Sequence, residues 1–354
     1  MLAELIPMTF FEGFATDQEY VLWLMAVGAI ALLVVGADKA VAAAAKLAAA
    51  AGMSKIIIGA TVVSLGTTSP EACVSVMAAW RGDPGLALGN GMGSIICDTA
   101  LIFGLCCCIR RLPMDRFILN RQGWLQFGAG ALLAAVIVGS WLLAGRSFDG
   151  AIIPRWVGII FLLLLVGYMC LSVRWARTHE GMVALEAVDD VTAASARNGR
   201  SIVFHLLFLF AGLALVVFGS EVLIGSAKTV CEKHGVPETV IAGTFVAFGT
   251  SLPELVTAIA SLVKGHAELL LGNVVGADIL NVLFVIGASA SARPLQVDEA
   301  TLYLLVPTML LALALLRGYI LMNRNTFKRW QGVPLLICYV VFVLLSVLKF
   351  GIGV

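Results

Sequence analysis

Charged side chains are scarce in this sequence of 354 residues, of which Asp, Glu, Lys and Arg together make up 13%. A soluble domain carries about 25% charged residues. Hydrophobic residues reach 60%, so the chain lacks the polar groups that would cover a surface facing water. A lipid bilayer must therefore surround most of the molecule. The formal net charge of +1 excludes a basic nucleic-acid-binding protein, and no nucleic acid is expected as a partner.

The motifs of soluble enzymes and metalloproteins are also missing. The four histidines are scattered, and the sequence contains no HExxH zinc motif and no paired nucleophile and base. The eight cysteines lie in or beside apolar runs without paired spacing, which favours buried thiols over disulfides or soft-metal transport. The sequence therefore predicts neither an enzyme nor a bound cofactor.

Long apolar runs predict an all-α membrane protein with ten transmembrane helices, because about 20 apolar residues cross a bilayer. The predicted spans are 20–36, 55–80, 86–109, 124–144, 157–173, 202–219, 238–263, 268–290, 300–316 and 333–348. Two short helices, 38–51 and 221–234, are expected to follow the first and sixth spans. No basic segment precedes the first span, so it is not predicted to be a cleaved signal peptide.

The distribution of Lys and Arg predicts how the spans are oriented. The loops after spans one, three, five, seven and nine hold 16 of the 23 basic residues, Arg317 among them. Loops rich in Lys and Arg remain in the cytoplasm. Both termini are then extracytoplasmic, in a multi-pass protein of the cell (inner) membrane. The polar stretch 174–200 joins spans five and six on the cytoplasmic side.

The sequence resembles itself at an offset of 183 residues, with 36–104 aligned to 219–287. The segment GATVVSLGTTSPEA at 59–72 pairs with AGTFVAFGTSLPEL at 242–255. A second segment, LALGNGMGSIICD at 86–98, pairs with LLLGNVVGADILN at 269–281. The matches cluster at polar, Gly and Pro positions, which an apolar composition does not explain.

The repeat predicts the domain organisation. Residues 1–177 form the first five-helix repeat, 178–200 a cytoplasmic linker, and 201–354 the second five-helix repeat. Because five is an odd number of spans, the second repeat enters the membrane in the opposite orientation. Inverted-topology repeats are typical of transporters that bind their substrate near the midplane of the membrane.

A proline interrupts one apolar segment of each repeat. Pro70 and Pro253 have no backbone N–H, so the helix should break there and leave carbonyl oxygens without partners. Glu71 and Glu254 follow immediately, and the inversion would bring their carboxylates face to face. Acidic residues inside a membrane segment are costly and mark functional sites. Hydroxyl oxygens lie beside them, those of Thr67, Thr68, Thr250 and Ser251.

The second motif adds further oxygen atoms. Ser94 and Asp98 are four residues apart and share one helix face, as do their repeat partners Ala277 and Asn281. The side chains of Ser94, Asp98 and Asn281, like the glutamates and hydroxyls of the first motif, offer hard oxygens. Ca²⁺ takes 6–8 such ligands in flexible geometry, whereas Mg²⁺ gives up its water reluctantly.

Three other polar residues of this motif allow two interpretations each. Asn90 and Asn273 follow glycines that permit close helix packing, so they can form interhelical hydrogen bonds or contact an ion. Asp278 aligns with Ile95 and has no acidic counterpart. Its carboxylate either lines the site or forms a polar bond elsewhere.

The paired motifs resemble those of the cation/Ca²⁺ exchanger superfamily, specifically its Na⁺/Ca²⁺ exchanger branch in compact prokaryotic form. The matching sequences are GTTSPE at 66–71 and GTSLPE at 249–254. The H⁺/Ca²⁺ exchanger branch usually carries an asparagine-containing motif instead, so the sequence resembles it less. The resemblance implies ten helices around a diamond of four cation sites, with Ca²⁺ and Na⁺ as substrates.

Carried over by position, the resemblance assigns ligands to each cation site. Ca²⁺ would be held by Glu71 and Glu254 with oxygens of Thr67 and Thr250. The flanking Na⁺ sites would use Ser64, Thr68, Ser94, Ser251 and the backbone carbonyl of Ala247. The middle position would be lined by Asp98 and Asn281.

The sequence departs from the family pattern at several positions. Ala277 stands where many relatives have a serine, which removes one hydroxyl from a flanking Na⁺ site. Asp98 and Asn281 place the middle carboxylate on the first repeat, whereas some relatives have it on the second. Asp278 stands where asparagine is common. Further departures are Ser64 in place of alanine and Thr68-Ser69 in place of Ser-Leu. These changes bear on Na⁺ stoichiometry and on any coupling to K⁺ or H⁺.

The function that the resemblance implies is secondary active antiport of Na⁺ against Ca²⁺ by alternating access, with a monomeric transport unit. Facing carboxylates without a cation repel each other. The protein should therefore turn the site from one side of the membrane to the other only when the site is loaded. An antiporter of the same fold coupled to H⁺ or K⁺ is the nearest alternative. A cation channel is disfavoured by an inverted repeat around broken helices.

Overall fold

The computed structural model describes residues 19–51, 55–82, 84–183, 199–233, 250–323, 325–346 and 348. This part of the chain is mostly helical. The helices in chain order are α1 (Glu19–Ala51), α2 (Ile56–Thr67), α3 (Ser69–Arg81), α4 (Pro84–Ile109), α5 (Arg116–Leu143), α6 (Arg155–Val183), α7 (Gly199–Lys233), α8 (Leu252–Val263), α9 (Ala267–Ala292), α10 (Thr301–Met322) and α11 (Gly332–Leu345). Two short strands, β1 (Ile152–Ile153) and β2 (Leu295–Gln296), pair antiparallel.

Seven helices within the described ranges are long and apolar enough to cross a membrane. Their qualifying segments are Glu19–Ala44, Pro84–Ile109, Arg116–Leu143, Arg155–Ser172, Ile202–Gly219, Ala267–Ala292 and Thr301–Met322. Three shorter apolar helices are Ile56–Thr67, Leu252–Val263 and Arg329–Leu345, the last of which begins with the single turn before α11. The start of the predicted span 238–263, residues 238–249, lies outside the described residues.

Three sequence predictions about local structure need correction. Segment 38–51 is the continuation of α1 rather than a separate helix, because its alanine-rich sequence has high helix propensity and no break. Residues 221–233 likewise continue α7, which has no proline. Arg317 was assigned to a loop but lies inside α10 with 5% exposure, where its guanidinium bonds to the backbone of Asn120.

Element boundaries recur at the spacing of the sequence repeat. Helix α3 begins at Ser69 and α8 at Leu252, while α4 begins at Pro84 and α9 at Ala267. Each pair is separated by 183 residues, since 252 − 69 = 183 and 267 − 84 = 183. The offset found in the sequence is therefore also an offset in secondary structure.

Two pairs of glycines mark further equivalent points. Gly82 and Gly265, which follow α3 and α8, both have positive φ values, 93° and 77°. This left-handed conformation strains other residues and ends both helices in the same way. Farther along, π-helical turns in α4 and α9 end immediately before Gly104 and Gly287.

Helices α4 and α9 form the centre of the molecule. Of the 18-residue segment that is most apolar in each helix, 94% is buried in α9 and 78% in α4. The corresponding share is 28% in α5, α6 and α7. The outer helices expose large apolar side chains such as Leu163, Leu207 and Phe210. Such a surface requires lipid as its surroundings. The chain is therefore an integral membrane protein with two buried central helices.

Glycines allow the backbone of α9 to contact that of α2. A Cβ atom at Gly272 would collide with the carbonyl oxygen of Ile56, and one at Gly276 would lie 2.5 Å from the Cα atom of Ala60. Close approach through small residues is how membrane helices pack without a hydrophobic driving force. The first repeat's interrupted helix is thereby pressed against the second repeat's central helix.

Candidate functional site

The helical hydrogen-bond pattern is interrupted at equivalent points of the two repeats. In the first repeat α2 ends at Thr67, Thr68 has φ −82° and ψ −4°, and α3 begins at Ser69. In the second, Ser251 has φ −86° and ψ 6° and precedes α8. The interruption predicted from the two prolines is therefore present. Each break places the following glutamate in the first turn of a new helix, where the helix dipole favours negative charge.

These two glutamates are buried and close together. Glu71 and Glu254 are each 1% exposed. The hydroxyl of Thr68 donates to Glu254 Oε1 at 3.3 Å, which links the break of one repeat to the carboxylate of the other. Glu254 and Asp98 are the acidic neighbours of Glu71. Both glutamates are therefore buried beside the helix breaks, and their face-to-face arrangement stays a prediction.

The second pair of predicted residues also meets in the interior. Asp98 lies in the π-helical turn of α4 and Asn281 begins that of α9, and both are 1% exposed. Asn281 Nδ2 donates to Asp98 Oδ2 at 3.4 Å. Single π-helical turns inside α-helices are frequent at functional sites.

Many oxygens of this buried centre have no hydrogen-bond partner among the described residues. They are Glu71 Oε1 and Oε2, Glu254 Oε2, Asp98 Oδ1, Asn281 Oδ1, Asp278 Oδ1 and the hydroxyls of Ser94 and Ser251. Buried polar atoms in proteins are almost always hydrogen-bonded, and buried charges are paired or bind a cation. A cluster of unpartnered hard oxygens has the ligand chemistry of a Ca²⁺ or Na⁺ site.

The threonines and asparagines of the motifs connect the two repeats symmetrically. Thr67 Oγ1 donates to Asn273 Oδ1 at 3.4 Å, and Thr250 Oγ1 donates to Asn90 Oδ1 at 3.0 Å. The two bonds are related by the 183-residue offset. Of the two interpretations of these asparagines, the structure therefore supports interhelical hydrogen bonding. Their amide nitrogens bond as well, Asn90 Nδ2 donating to Ser75 Oγ at 2.9 Å.

The other predicted hydroxyl ligands occupy buried positions on α2. Ser64 and Thr67 are fully buried; the Ser64 hydroxyl donates to the carbonyl of Thr61 at 3.4 Å, and the Thr67 hydroxyl shares its one hydrogen between Asn273 Oδ1 and the Ser64 carbonyl, 3.3 Å away. Such back-bonding leaves the lone pairs of a hydroxyl oxygen available to a cation. Ala247, the last of the predicted ligands, lies outside the described residues, as does the start of the second motif, 242–249.

Four polar residues near the centre, on α4, α5 and α6, were not among the predicted site residues. Gln126 on α5 donates from Nε2 to Asp278 Oδ2 at 2.5 Å, and the hydroxyl of Thr99 donates to the same oxygen. One turn away, Gln122 Oε1 accepts from the hydroxyl of Tyr168 at 3.1 Å. Two glutamines four residues apart inside an apolar span share a helix face, and that spacing was the available signal.

Side chains alone do not complete a metal site here. Within the described ranges, no three His, Cys, Asp or Glu side chains are grouped closely enough to hold a metal ion. A cation at this centre would therefore also need hydroxyl, amide and backbone oxygens. The six described cysteines are unpaired thiols; Cys97 is buried near Asp98, whereas Cys170 is exposed.

Fold and site together define an integral membrane protein with a buried acidic, oxygen-lined centre between two repeat-related sets of helices. Residues 21–174 and 204–348 match the model of the sodium/calcium exchanger protein family. The chain belongs to this family, whose members are exchangers rather than enzymes.

Individual relatives agree with this membership. The chain is 34% identical to the inner membrane protein YrbG of Escherichia coli over 78% of its own length and 81% of the relative's. It is 28% identical to the sodium/calcium exchanger MaX1 of Methanosarcina acetivorans over 88% and 95% of the two chains. A solved structure of the sodium-calcium exchanger NCX_Mj, soaked with Na⁺ and Sr²⁺, superposes with a TM-score of 0.74 at 26% identity, covering 91% and 98%.

Proposed function

We propose that this protein is a secondary active antiporter that exchanges Na⁺ for Ca²⁺ across the cell (inner) membrane by alternating access. The observation that carries the proposal is the pair Glu71 and Glu254. These repeat-related carboxylates are buried together, and three of their four oxygens accept no hydrogen bond from the described residues. Family membership and the likeness to MaX1 and NCX_Mj support the choice of ions.

The proposed architecture has ten spans in two inverted five-helix repeats. The seven long apolar helices and the three shorter ones would together supply the ten spans. Contacts between distant segments agree with the predicted sides of the membrane. The proposed cytoplasmic loops around Pro113 and Thr326 form a β-bridge, while β1 and β2 pair on the proposed outer side. Both termini would then be extracytoplasmic.

Two ion pairs also join segments that are proposed to lie on one side. Lys264 Nζ lies 2.6 Å from Asp38 Oδ1, and both residues are assigned to the cytoplasmic side. Lys233 Nζ lies 2.8 Å from Glu19 Oε2, and both are assigned to the outer side. Every one of these four contacts is compatible with the orientation that the Lys and Arg distribution predicts.

The proposed ligand set divides into a Ca²⁺ position and flanking Na⁺ positions. Ca²⁺ would be held by Glu71 and Glu254 with Thr67 and Thr250. The two carboxylates, one from each repeat, supply negative charge, and each is fixed in the first turn of its helix. The proposed flanking and middle ligands are Ser64, Thr68, Ser94, Asp98, Ala247, Ser251 and Asn281. The ten of these eleven residues that are described are all buried.

Mutual repulsion of the carboxylates gives a physical reason for exchange. Glu71, Glu254 and Asp98 repel one another when no cation lies between them, and burial makes this repulsion costly. The empty site should therefore resist closure on either side. Only forms loaded with Ca²⁺, Na⁺ or protons would expose the site to the other side of the membrane, which couples the fluxes.

The long helices α1 and α7 are the proposed moving elements. The described side chains that they bury against each other around Gly36 and Gly212 are apolar or small, and none of the proposed ligands lies on either helix. They can therefore slide together across the site without changing its ligands. Their sliding would open the site to one side of the membrane at a time.

An antiporter of the same fold coupled to H⁺ or K⁺ is the second candidate. The specific observation that favours it is Asp278, a buried acid of the centre beyond the three proposed carboxylate ligands. The missing hydroxyl at Ala277 points in the same direction, since it removes one oxygen from a flanking Na⁺ position.

Reconstituted protein tests the proposal directly. Liposomes containing purified protein would be loaded with Na⁺ and diluted into Na⁺-free buffer that contains radiolabelled Ca²⁺. We expect Ca²⁺ uptake from Na⁺-loaded vesicles and none from protein-free vesicles. Parallel vesicles would carry K⁺ or an acidic interior instead. Uptake that depends only on K⁺ or on the proton gradient would support the second candidate, and absence of uptake under every gradient would overturn Ca²⁺ exchange.

A further inference from the structure

Few charges recur when the two repeats are aligned at the 183-residue offset. Over 36–104 and 219–287, charge of the same sign stands at both positions in only three aligned pairs. These pairs are Glu71 with Glu254, Asp38 with Glu221, and Arg81 with Lys264. The first pair belongs to the proposed Ca²⁺ position. The other two pairs lie outside that site and need a separate explanation.

In the folded chain, one acid and one base from these two pairs bind each other. Lys264 Nζ lies 2.6 Å from Asp38 Oδ1 and donates to the backbone carbonyl of Asp38 at 2.7 Å. Asp38 belongs to the long helix α1, and Lys264 directly follows α8, the helix that carries Glu254. The ion pair therefore ties a proposed moving element to a helix of the proposed Ca²⁺ site.

The contact of α1 and α7 with α8 beside this ion pair is apolar. Leu33 and Ala37 of α1 form a buried cluster with Val216 of α7. Val256 and Ala260 of α8 pack against this cluster. Apolar contacts are non-directional, so they do not fix the position of α1 and α7 along α8. The ion pair does fix it, because a slide of α1 by one helical turn, about 5.4 Å, would pull its carboxylate away from the ammonium group.

The repeat places a second acid and a second base on the opposite side of the membrane. Glu221 lies on α7, and Arg81 is the last residue of α3, the helix that carries Glu71. Because the repeats are inverted in the proposed topology, these equivalents of Asp38 and Lys264 are assigned to the outer side. The chain thus holds the residues for one ion pair on each side.

We propose that Asp38 and Lys264 form a latch that holds the site closed to the cytoplasm, and that Glu221 and Arg81 form an equivalent latch on the outer side. Sliding of α1 and α7 breaks one latch as it makes the other. Each state therefore gains one ion pair, and neither state is favoured by charge alone. The inference rests on the proposed function, since alternating access requires a closed state on each side.

The ratio of Ca²⁺ affinities at the two faces tests the cytoplasmic latch. Apparent affinity at a face falls with the fraction of protein that is open to that face. It would be measured at the cytoplasmic face in inside-out vesicles and at the outer face in right-side-out vesicles. Asp38→Asn and Lys264→Gln each remove the cytoplasmic latch. We expect each to raise the ratio of cytoplasmic to outer affinity by about two- to fivefold, the effect of one exposed ion pair.

Variants of the outer latch should have the opposite effect. We expect Arg81→Gln and Glu221→Gln each to lower the ratio by a similar factor, and D38N combined with R81Q to bring it back toward the wild-type value. The charge swap Asp38→Lys with Lys264→Glu should also bring it back, because an ion pair forms in either polarity. Lys39→Gln removes an exposed charge next to Asp38 and, as the matched control, should leave the ratio unchanged.

Cross-linking tests the geometry of the latches without requiring transport. In a cysteine-free protein, a short thiol cross-linker should join Asp38→Cys to Lys264→Cys and, in a separate variant, Glu221→Cys to Arg81→Cys. Each cross-link should stop Ca²⁺ uptake. The first should leave radiolabelled Ca²⁺ binding at the outer face only, and the second should leave it at the cytoplasmic face only.

The outcomes separate the latches from the exchanger. Absence of Ca²⁺ uptake by the wild type under every gradient would overturn the proposed function, and the latches would then stand or fall with the cross-links. If the wild type exchanges Na⁺ for Ca²⁺ but the variants keep the wild-type affinity ratio, the exchanger stands and the latches do not. Failure of E221C and R81C to cross-link would overturn the outer latch and, with it, the alternation between the two ion pairs.

Discussion

The glutamates at the helix breaks combine three properties that rarely occur together. They are buried, their oxygens are largely without donors, and each begins a helix whose dipole favours its negative charge. A structural buried carboxylate would have hydrogen-bond donors on its oxygens, as Asp278 Oδ2 does. The contrast between Glu71 and the bonded oxygen of Asp278 is why we propose Glu71 as a cation ligand.

Neutralising either glutamate should stop Ca²⁺ transport. We expect Glu71→Gln and Glu254→Gln each to lower radiolabelled Ca²⁺ uptake by at least an order of magnitude, because ligand charge sets Ca²⁺ affinity. The matched control is Glu299→Gln, an exposed acid between α9 and α10, which should transport like the wild type.

The variants should remain folded, since removing one of two mutually repelling charges does not weaken the packing around it. Thermal unfolding in detergent would check this point. Near-normal uptake by a folded E71Q or E254Q protein would remove that residue from the Ca²⁺ site.

Helices α1 and α7 pack so closely that they behave as one element. A Cβ atom at Gly212 would lie 2.7 Å from the backbone of both Gly36 and Ala40. By contrast, the pair contacts the broken helix α2 through flexible side chains, as where Leu213 on α7 covers Gly66. Backbone contact resists relative motion, while a side-chain contact allows sliding.

Cross-linking can separate these two kinds of contact. In a cysteine-free protein that still transports, Gly66→Cys with Leu213→Cys would tie α7 to α2. We expect a thiol-specific cross-linker to abolish Ca²⁺ uptake in this variant and a reductant to restore it. Ala37→Cys with Val216→Cys ties α7 only to α1, because both side chains belong to one buried apolar cluster between these helices, and should leave uptake intact.

Uptake that survives the first cross-link would exclude sliding of α7 over α2. Loss of uptake in both cross-linked variants would instead mean that α1 and α7 move relative to each other. Labelling with a radioactive or fluorescent thiol reagent after reduction would verify that each cross-link had formed.

The arrangement of loops defines two faces of the molecule. Residues 110–115 and 325–328 are joined by backbone bonds, Met114 N to Asn325 O at 2.8 Å and Phe327 N to Leu112 O at 2.9 Å. Arg110, Arg111 and Arg329 line a cavity of about 430 Å³ on this face. The loops that are proposed to lie on the outer side hold β1 and β2 and the acids Asp298 and Glu299. This asymmetry of charge is what the positive-inside rule uses.

Labelling of single cysteines tests the orientation. In the cysteine-free background, a membrane-impermeant thiol reagent applied to intact cells should label Glu299→Cys and spare Arg111→Cys until the membrane is permeabilised. Both positions are exposed to solvent, so accessibility differs only by side. The reverse pattern would invert the proposed topology, and labelling of both in intact cells would contradict a membrane between the two faces.

Much of the fold and of the candidate site can be predicted from the amino-acid sequence alone. Low charge and long apolar runs require lipid as solvent, since no folded arrangement of such a chain could cover itself with polar groups. The 183-residue offset predicts the repeat, and each proline predicts a break because it lacks the N–H that a helix needs. The candidate ligands follow from local patterns of hydroxyls and acids beside those breaks.

Contacts between distant segments could be settled only by the folded chain. Each of Asn90 and Asn273 accepts a hydrogen bond from a threonine of the other repeat, and Asp278 accepts from two other helices. These partners depend on distances between residues that are far apart in sequence. Gln126 shows the limit most clearly, because nothing near it in the chain indicates that α5 approaches α9. Residue patterns report periodicity and chemistry along one segment, whereas the partner of a buried polar atom depends on how the helices pack in three dimensions.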